Sequence, residues 1–335
     1  MWRSLILIIV IVSSCVGSSS SDPPIKLMGE AQGTYYSIIY FDKQQRDFQF
    51  EIDSLLDAFD QSVSLWIPNS ILSRVNNNED NVLIDKFFSD NFFLSKKVAS
   101  ETDGAFDFTI GPLVKAWGFG YDNHRQIDSL IIDSLLKIVG YQKVDLFKNM
   151  VIKKNKNTTF DFNAIAQGYS VDMVGQFLLD KQINNFLVDI GGEVMARGRK
   201  PDNSPWKVGI EKPAKNATDQ RSLSGVIKLI NQSVATSGNY RKFFEEDGKR
   251  YAHTIDPHTG YPVQHNLLSV SIICNNTALA DAYATACMVM GLEKSIKFVE
   301  SRDDLEAFFI YSNHQNGYDD YATEGFKSLI VKDFN

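Results

Sequence analysis

At 335 residues with 44% hydrophobic content, the chain is long enough to bury a full core, as one large domain or two lobes. Its 41 acidic residues against 34 basic leave a net charge of −7, which argues against the basic face that nucleic-acid phosphates require. An anionic ligand must be held by metal and backbone donors more than by a general positive field.

The chain opens with Arg3, an apolar run from Leu5 to Val12, and Ser13-Ser14-Cys15, which reads as a secretory signal over residues 1–14 and is too short for a stable membrane span. Val12-Ser-Ser-Cys15 resembles the lipobox of bacterial lipoproteins, in which the cysteine carries the lipid. On that reading residues 15–25 form a lipidated Cys15 and a flexible polar tether, and residues 26–335 the folded domain; the other reading is an ordinary cleaved signal with an incidental cysteine.

Tyr35 to Phe41 reads as a first strand and Phe48 to Gln61 as an amphipathic helix, with Phe48, Ile52, Leu55, Leu56 and Phe59 on one side. Phe87 to Ser100 has the helical period again. Phe106 to Trp117 reads as loop, because Gly111-Pro112 should break any regular element. Lys143 to Phe147 and Met150 to Ile152 are strand candidates, and Ala164 to Leu179 is a helix whose free N-terminal donors favour phosphate oxygens. Phe186 to Ile190 and Val194 to Arg197 are strands flanking Gly191-Gly192, either a plain hairpin turn or a bare stretch where a ring or sugar approaches the backbone.

Further strands are expected at Trp206 to Glu211 and Leu223 to Ile230, with a hairpin of Tyr240 to Glu245 and Arg250 to Ile255. Strand, helix and strand follow at Leu268 to Ile273, Ala278 to Met290 and Ala307 to Tyr311. Strands clustered as hairpins with irregular helices predict an α+β fold with largely antiparallel sheets and packed helices. No Gly-x-Gly-x-x-Gly fingerprint or Walker loop is present. Cys274 and Cys287 lie in apolar segments and are expected to be buried thiols without a bond between them.

Chemistry concentrates late in the chain. Asp281 and Thr285 are four residues apart on one helical face, and a carboxylate among small and apolar residues needs a cation or strong donors. Mg²⁺ would serve. The spacing alone also fits Asp281 at the solvent edge, with Thr285 bonded back to a carbonyl one turn earlier. His253, in His253-Thr-Ile-Asp256-Pro-His-Thr-Gly260, is a candidate general base or a half-buried strand histidine, and Asp256 shapes the turn that follows.

These segments occur with Thr102-Asp-Gly-Ala-Phe-Asp107, Asp161-Phe-Asn-Ala-Ile-Ala-Gln-Gly168, Val188-Asp-Ile-Gly-Gly192 and Ala235-Thr-Ser-Gly-Asn-Tyr240. Together they resemble the ApbE family of flavin transferases, from about Gln32 to beyond Gly291. The resemblance implies a T-fold-like architecture, FAD as substrate, Mg²⁺ as cofactor, and transfer of FMN onto a Thr or Ser hydroxyl of another protein with release of AMP. It implies Asp281, Thr285 and the Ala164 carbonyl as metal ligands and His253 as catalytic base. Flavin or adenine contacts fall at Gln32, Trp66, Ala105, Phe106, Asp107, Asp161, Gln167, Thr254 and Ile255, with Ser237, Gly238 and Tyr240 near the site.

Gln32, Gln167 and Asn239 depart from the residues commonest at those positions, which bears on ring selectivity and acceptor choice. The family's acceptor motif, Asp-x-x-Ser/Thr-Gly-Ala-Thr/Ser, does not occur in this chain. The implied partner is an acceptor flavoprotein in the extracytoplasmic space of a bacterial envelope, reached from a lipid anchor in a membrane. Two other readings stay open: an Mg²⁺-dependent FAD pyrophosphatase releasing FMN and AMP, and a non-catalytic FAD-binding lipoprotein.

Overall fold

The computed structural model describes residues 23–119, 127–212, 223–239, 243–246, 249–252, 254–313 and 317–332. Cys15 with the signal and most of the tether, Tyr240 and His253 lie outside these residues. Among them the strands are β1 (Ile25–Ala31), β2 (Thr34–Tyr40), β3 (Val144–Phe147), β4 (Met150–Lys153), β5 (Phe186–Ile190), β6 (Glu193–Arg197), β7 (Trp206–Glu211), β8 (Leu223–Leu229), β9 (Gln232–Gly238), β10 (Phe243–Glu246), β11 (Lys249–Ala252), β12 (Leu267–Cys274), β13 (Glu306–Ser312), β14 (Tyr318–Ala322) and β15 (Ile330–Lys332). The helices are α1 (Gln49–Val63), α2 (Ile71–Asn76), α3 (Lys86–Glu101), α4 (Gly111–Trp117), α5 (Ser129–Leu136), α6 (Ala166–Asp180), α7 (Thr277–Met290), α8 (Leu292–Glu300) and α9 (Glu324–Leu329).

One eight-stranded sheet, ordered β1-β2-β5-β6-β9-β12-β13-β14, organises the molecule, and all its neighbours pair antiparallel. Period-2 alternation assigns its two faces. Ile38, Val188, Met195, Ala235, Ile272 and Phe309 point to the layer of α1, α3, α6 and α7. Ile39, Leu187, Val194, Val234, Ile273 and Phe308 point the other way, onto β7, β8, β15 and α9. Both faces are therefore covered, so β6 is buried over Glu193 to Ala196. The antiparallel α+β expectation agrees with this architecture.

Two sequence expectations need correction. The stretch from Phe106 to Trp117 is not loop throughout, because Gly111–Trp117 is α4. Pro112 sits in its first turn, where the missing N–H has no intrahelical partner to lose. The helix expected from Ala164 begins at Ala166, with residues 163–165 in a turn.

The centre of the helical layer is α7, a helix of small residues that packs on β6, β9, β12 and α6. Its start is closed from two sides. The Asn276 side chain accepts the Leu279 N–H at 2.9 Å, and Asp172 of α6 accepts the N–H groups of Thr277 at 2.8 Å and Ala278 at 2.9 Å. Burial pushes Asp172 up to about 6 against the pull of those two donors. Asp172→Ala should leave two N–H groups of a buried helix end unpaired, costing about 1–3 kcal/mol. A lower urea midpoint checks this. Cys274 and Cys287 are buried free thiols, and among the described residues no helix is long and apolar enough to cross a membrane.

Candidate active site

The first turn of α6 is the hinge of the site. In a regular helix the Gly168 N–H would bond to the carbonyl of Ala164, four residues back. Here it donates instead to Asp281 Oδ2 at 3.1 Å, leaving the Ala164 carbonyl without that helical donor among the described residues. This exchange requires α6 and α7 to touch at backbone distance. A Cβ on Gly168 would stand 2.5 Å from the Thr277 carbonyl oxygen, so glycine alone permits the approach.

Asp281 is 7% exposed, not at the solvent edge. Thr285, one turn on, has its hydroxyl 3.1 Å from Ser237 Oγ of β9 instead of being committed only to its own helix. Burial holds Asp281 well above the usual carboxylate range, and nearby Asp172 adds to the effect against the Gly168 N–H. A carboxylate kept in this setting without a cationic side chain among the described residues suits a hard metal ion. Among the described residues no group of three or more His, Cys, Asp or Glu forms a ready cage. The available set is one carboxylate, one hydroxyl and one main-chain carbonyl, which is oxygen chemistry suited to Mg²⁺ with water and phosphate completing the shell.

Beside this set lies the β5–β6 hairpin. Gly191 and Gly192, at φ 64 and 111, make its turn, and Asp189 Oδ1 accepts the Gly192 N–H at 3.0 Å. The two glycines therefore form a hairpin turn, with no side chain on its outer surface at Gly192. Gln167 Nε2 donates to the Ile190 carbonyl at 3.0 Å and occupies the space that a side chain on Gly191 would need. Glu193, paired with Ile190 across the turn, is buried beside the metal set. Burial and then the Asp281 charge raise it well above the usual carboxylate range. The sequence reading stopped at Gly192 and missed Glu193. Its signal was a carboxylate opening a strand two residues before apolar Met195, and thus on the helix-facing side.

The other predicted residues are held by separate local contacts. Asp161, half-buried, accepts the Asn163 N–H at 2.8 Å through Oδ1, and its own N–H donates to the Phe108 carbonyl at 2.8 Å. Burial raises Asp161 against the Asn163 donor. The side chains of Ala105 and Phe106 are turned into the core, which leaves only the main chain free to meet a ligand. Asp107 serves as a loop latch, with Oδ1 accepting from Thr109 N–H and Oγ1 and Oδ2 accepting from Tyr141 N–H.

That loop meets the Asp256 turn through His258, whose Nε2 lies 2.8 Å from the Asp103 carbonyl oxygen. Asp256 shapes the turn as expected, its Oδ1 accepting the His258 N–H at 2.9 Å. Ile255 is buried against α4 and α5, and the Thr254 hydroxyl donates to Asn239 Oδ1 at 2.7 Å, two residues from Ser237. Gln32, in the left-handed region at φ 54, receives a Ser170 hydroxyl bond on Oε1 at 3.4 Å. Trp66 lies in the turn between α1 and α2 with 61% of its surface exposed.

Comparison with known proteins places the chain in a family. The family described as "ApbE family" matches residues 32–309. A FAD:protein FMN transferase of Vibrio cholerae is 31% identical, covering 99% of each chain, and one of Haemophilus influenzae is 32% identical, covering 97% of this chain and 96% of its own. The solved flavin transferase ApbE of Vibrio cholerae superposes with a TM-score of 0.81 at 30% identity, covering 92% of this chain and 99% of that one. The apo flavinyl transferase ApbE of Pseudomonas stutzeri gives 0.82 at 31%, covering 92% and 96%. With the family's motifs in order along the chain and the same fold around them, this chain belongs to the ApbE family.

Proposed function

We propose that this chain is an FAD:protein FMN transferase that depends on Mg²⁺. It moves FMN from FAD onto a Thr or Ser hydroxyl of an acceptor flavoprotein bearing Asp-x-x-Ser/Thr-Gly-Ala-Thr/Ser, releasing AMP. The observation that carries this reading is the exchange at Gly168, which turns Asp281 and the Ala164 carbonyl into oxygen donors at the opening of one helix. Thr285 adds a third oxygen from the same face of α7 as Asp281.

When bound, the cation would stabilise negative charge on the diphosphate of FAD. The residues do the rest. The acceptor hydroxyl oxygen forms a bond to the FMN-side phosphorus while that phosphorus loses its bond to the AMP oxygen. His253, at the position of the family histidine, takes the hydroxyl proton, and its role rests on the sequence. Gly191-Gly192 leaves the hairpin turn without side chains where a ring can approach, and Gln167 braces that turn from α6. Gln32, Trp66, the Ala105–Asp107 main chain, Asp161, Thr254 and Ile255 would bind and orient the two ends of FAD, since most of the catalysis is positioning.

Purified full chain with FAD, Mg²⁺ and an acceptor domain should add FMN covalently to the acceptor, read by intact mass, and a chelator should abolish the addition. Free FMN and AMP without labelled acceptor would instead support a pyrophosphatase. Loss of neither FAD nor label would leave a binding protein. We also propose that Cys15 carries a lipid that anchors the domain outside the cytoplasm, a reading that rests on residues 1–25 alone. Cys15→Ser should move the protein from the membrane fraction to the soluble one.

A further inference from the structure

Among the described residues, Glu193 is the one buried acid whose side chain keeps an oxygen without a hydrogen-bond partner. It is 9% exposed, and its Oε2 has no hydrogen-bond partner among the described residues. Buried polar atoms are seldom left in that state, whether the acid is ionised or carries its proton. Its surroundings are set by three contacts. Glu193 pairs across the turn with Ile190, the Ile190 carbonyl receives Gln167 Nε2, and the next residue of α6, Gly168, donates to Asp281. Two consecutive residues of one helical turn thus tie the β5–β6 hairpin, which carries Glu193, to the helix that carries Asp281.

Strand alternation points Glu193 to the same face as Met195, toward α6 and α7. Asp189, on the opposite parity, spends one oxygen on the Gly192 N–H. Glu193 is therefore the hairpin carboxylate aimed at the metal set, and no described side chain answers it.

We propose that Glu193 is a further oxygen ligand of the divalent cation bound by Asp281. This rests on the metal reading given above and adds a fourth protein oxygen from the central sheet. A second carboxylate would give the site a net charge suited to a dication bridging to phosphate, and would place one ligand on β6 against the glycine turn.

The test titrates Mn²⁺ into the full chain without FAD and reads free Mn²⁺ by its EPR signal. Glu193→Gln keeps the size and should weaken Mn²⁺ binding about tenfold or more, the range typical for loss of a group that supports a metal site. Glu193→Asp keeps the charge on a shorter arm and should fall between this variant and wild type. Urea midpoints of both metal-free variants distinguish lost affinity from lost folding. Wild-type Mn²⁺ affinity in a folded Glu193→Gln protein, with Asp281→Asn impaired, overturns the inference and leaves the transferase reading intact. Unchanged affinity in Asp281→Asn as well overturns the metal reading of Asp281 itself.

Discussion

Asp281→Asn lowers covalent flavin transfer by about a thousandfold, equivalent to roughly 4 kcal/mol of transition-state stabilisation. The amide keeps the volume of the carboxylate and an oxygen for the Gly168 N–H, so α6 and α7 stay together. What disappears is the charge that would hold the proposed cation. The same variant should be the more stable protein in metal-free buffer as pH rises from about 5 to about 8. The sign follows from the folded state holding Asp281 above its unfolded value, mainly by burial. Between those values the folded chain binds more protons than the unfolded one, so wild-type stability declines with rising pH while the amide escapes the decline. Initial rates of acceptor labelling and urea melts at the two pH values check both halves. A labelling rate close to wild type would remove Asp281 from the chemistry.

Gly168→Ala should damage stability and activity together. Its new Cβ would lie 2.5 Å from the Thr277 carbonyl oxygen and 2.8 Å from that carbonyl carbon, and neither atom can swing aside as a side-chain tip could. The two helices must separate, at a cost of about 1–3 kcal/mol for overpacking. Separation also draws the Gly168 N–H from Asp281 and moves the Asp172 cap off α7. Gly33 offers a contrast, because it has φ +73 but no atom within 4 Å of an added Cβ. Gly33→Ala should cost only the conformational strain, about 1 kcal/mol, with labelling preserved. Equal urea midpoints for wild type and Gly168→Ala would show that the helices do not touch as described.

Much of the scaffold could be read from periodicity. The apolar faces of α1 and α3 and the alternating strands β5 and β6 lie within a residue or two of their expected ends. The unread elements have physical reasons. β9 is rich in Ser and Thr and has no apolar run, because part of it serves the site through Ser237. β1 carries Lys26, Gly29 and Glu30 on an edge strand beside a polar tether, so its pattern is diluted. In α4 the glycine and proline that suggested a break are tolerated by the first helical turn.

The site divides in the same way. Asp281 and Thr285 could be paired from spacing because one helix holds both. Glu193 and Asp172 act through neighbours far away in sequence, and only the antiparallel sheet and the α6–α7 contact reveal their roles. The crossing of Gly168 and Asp281 joins residues 113 apart in the chain.

That separation bears on how the protein reaches its working form. The donors come from the opening of a central helix and from a helix near the end of the chain, with the glycine hairpin and the interior strand β9 between them. Contacts so distant along the polymer make for slow topological closure, and no shortened version ending before Thr277 could contain the complete coordination set. A cation held as proposed would load only once nearly the whole polypeptide has been made and its last long helix has docked.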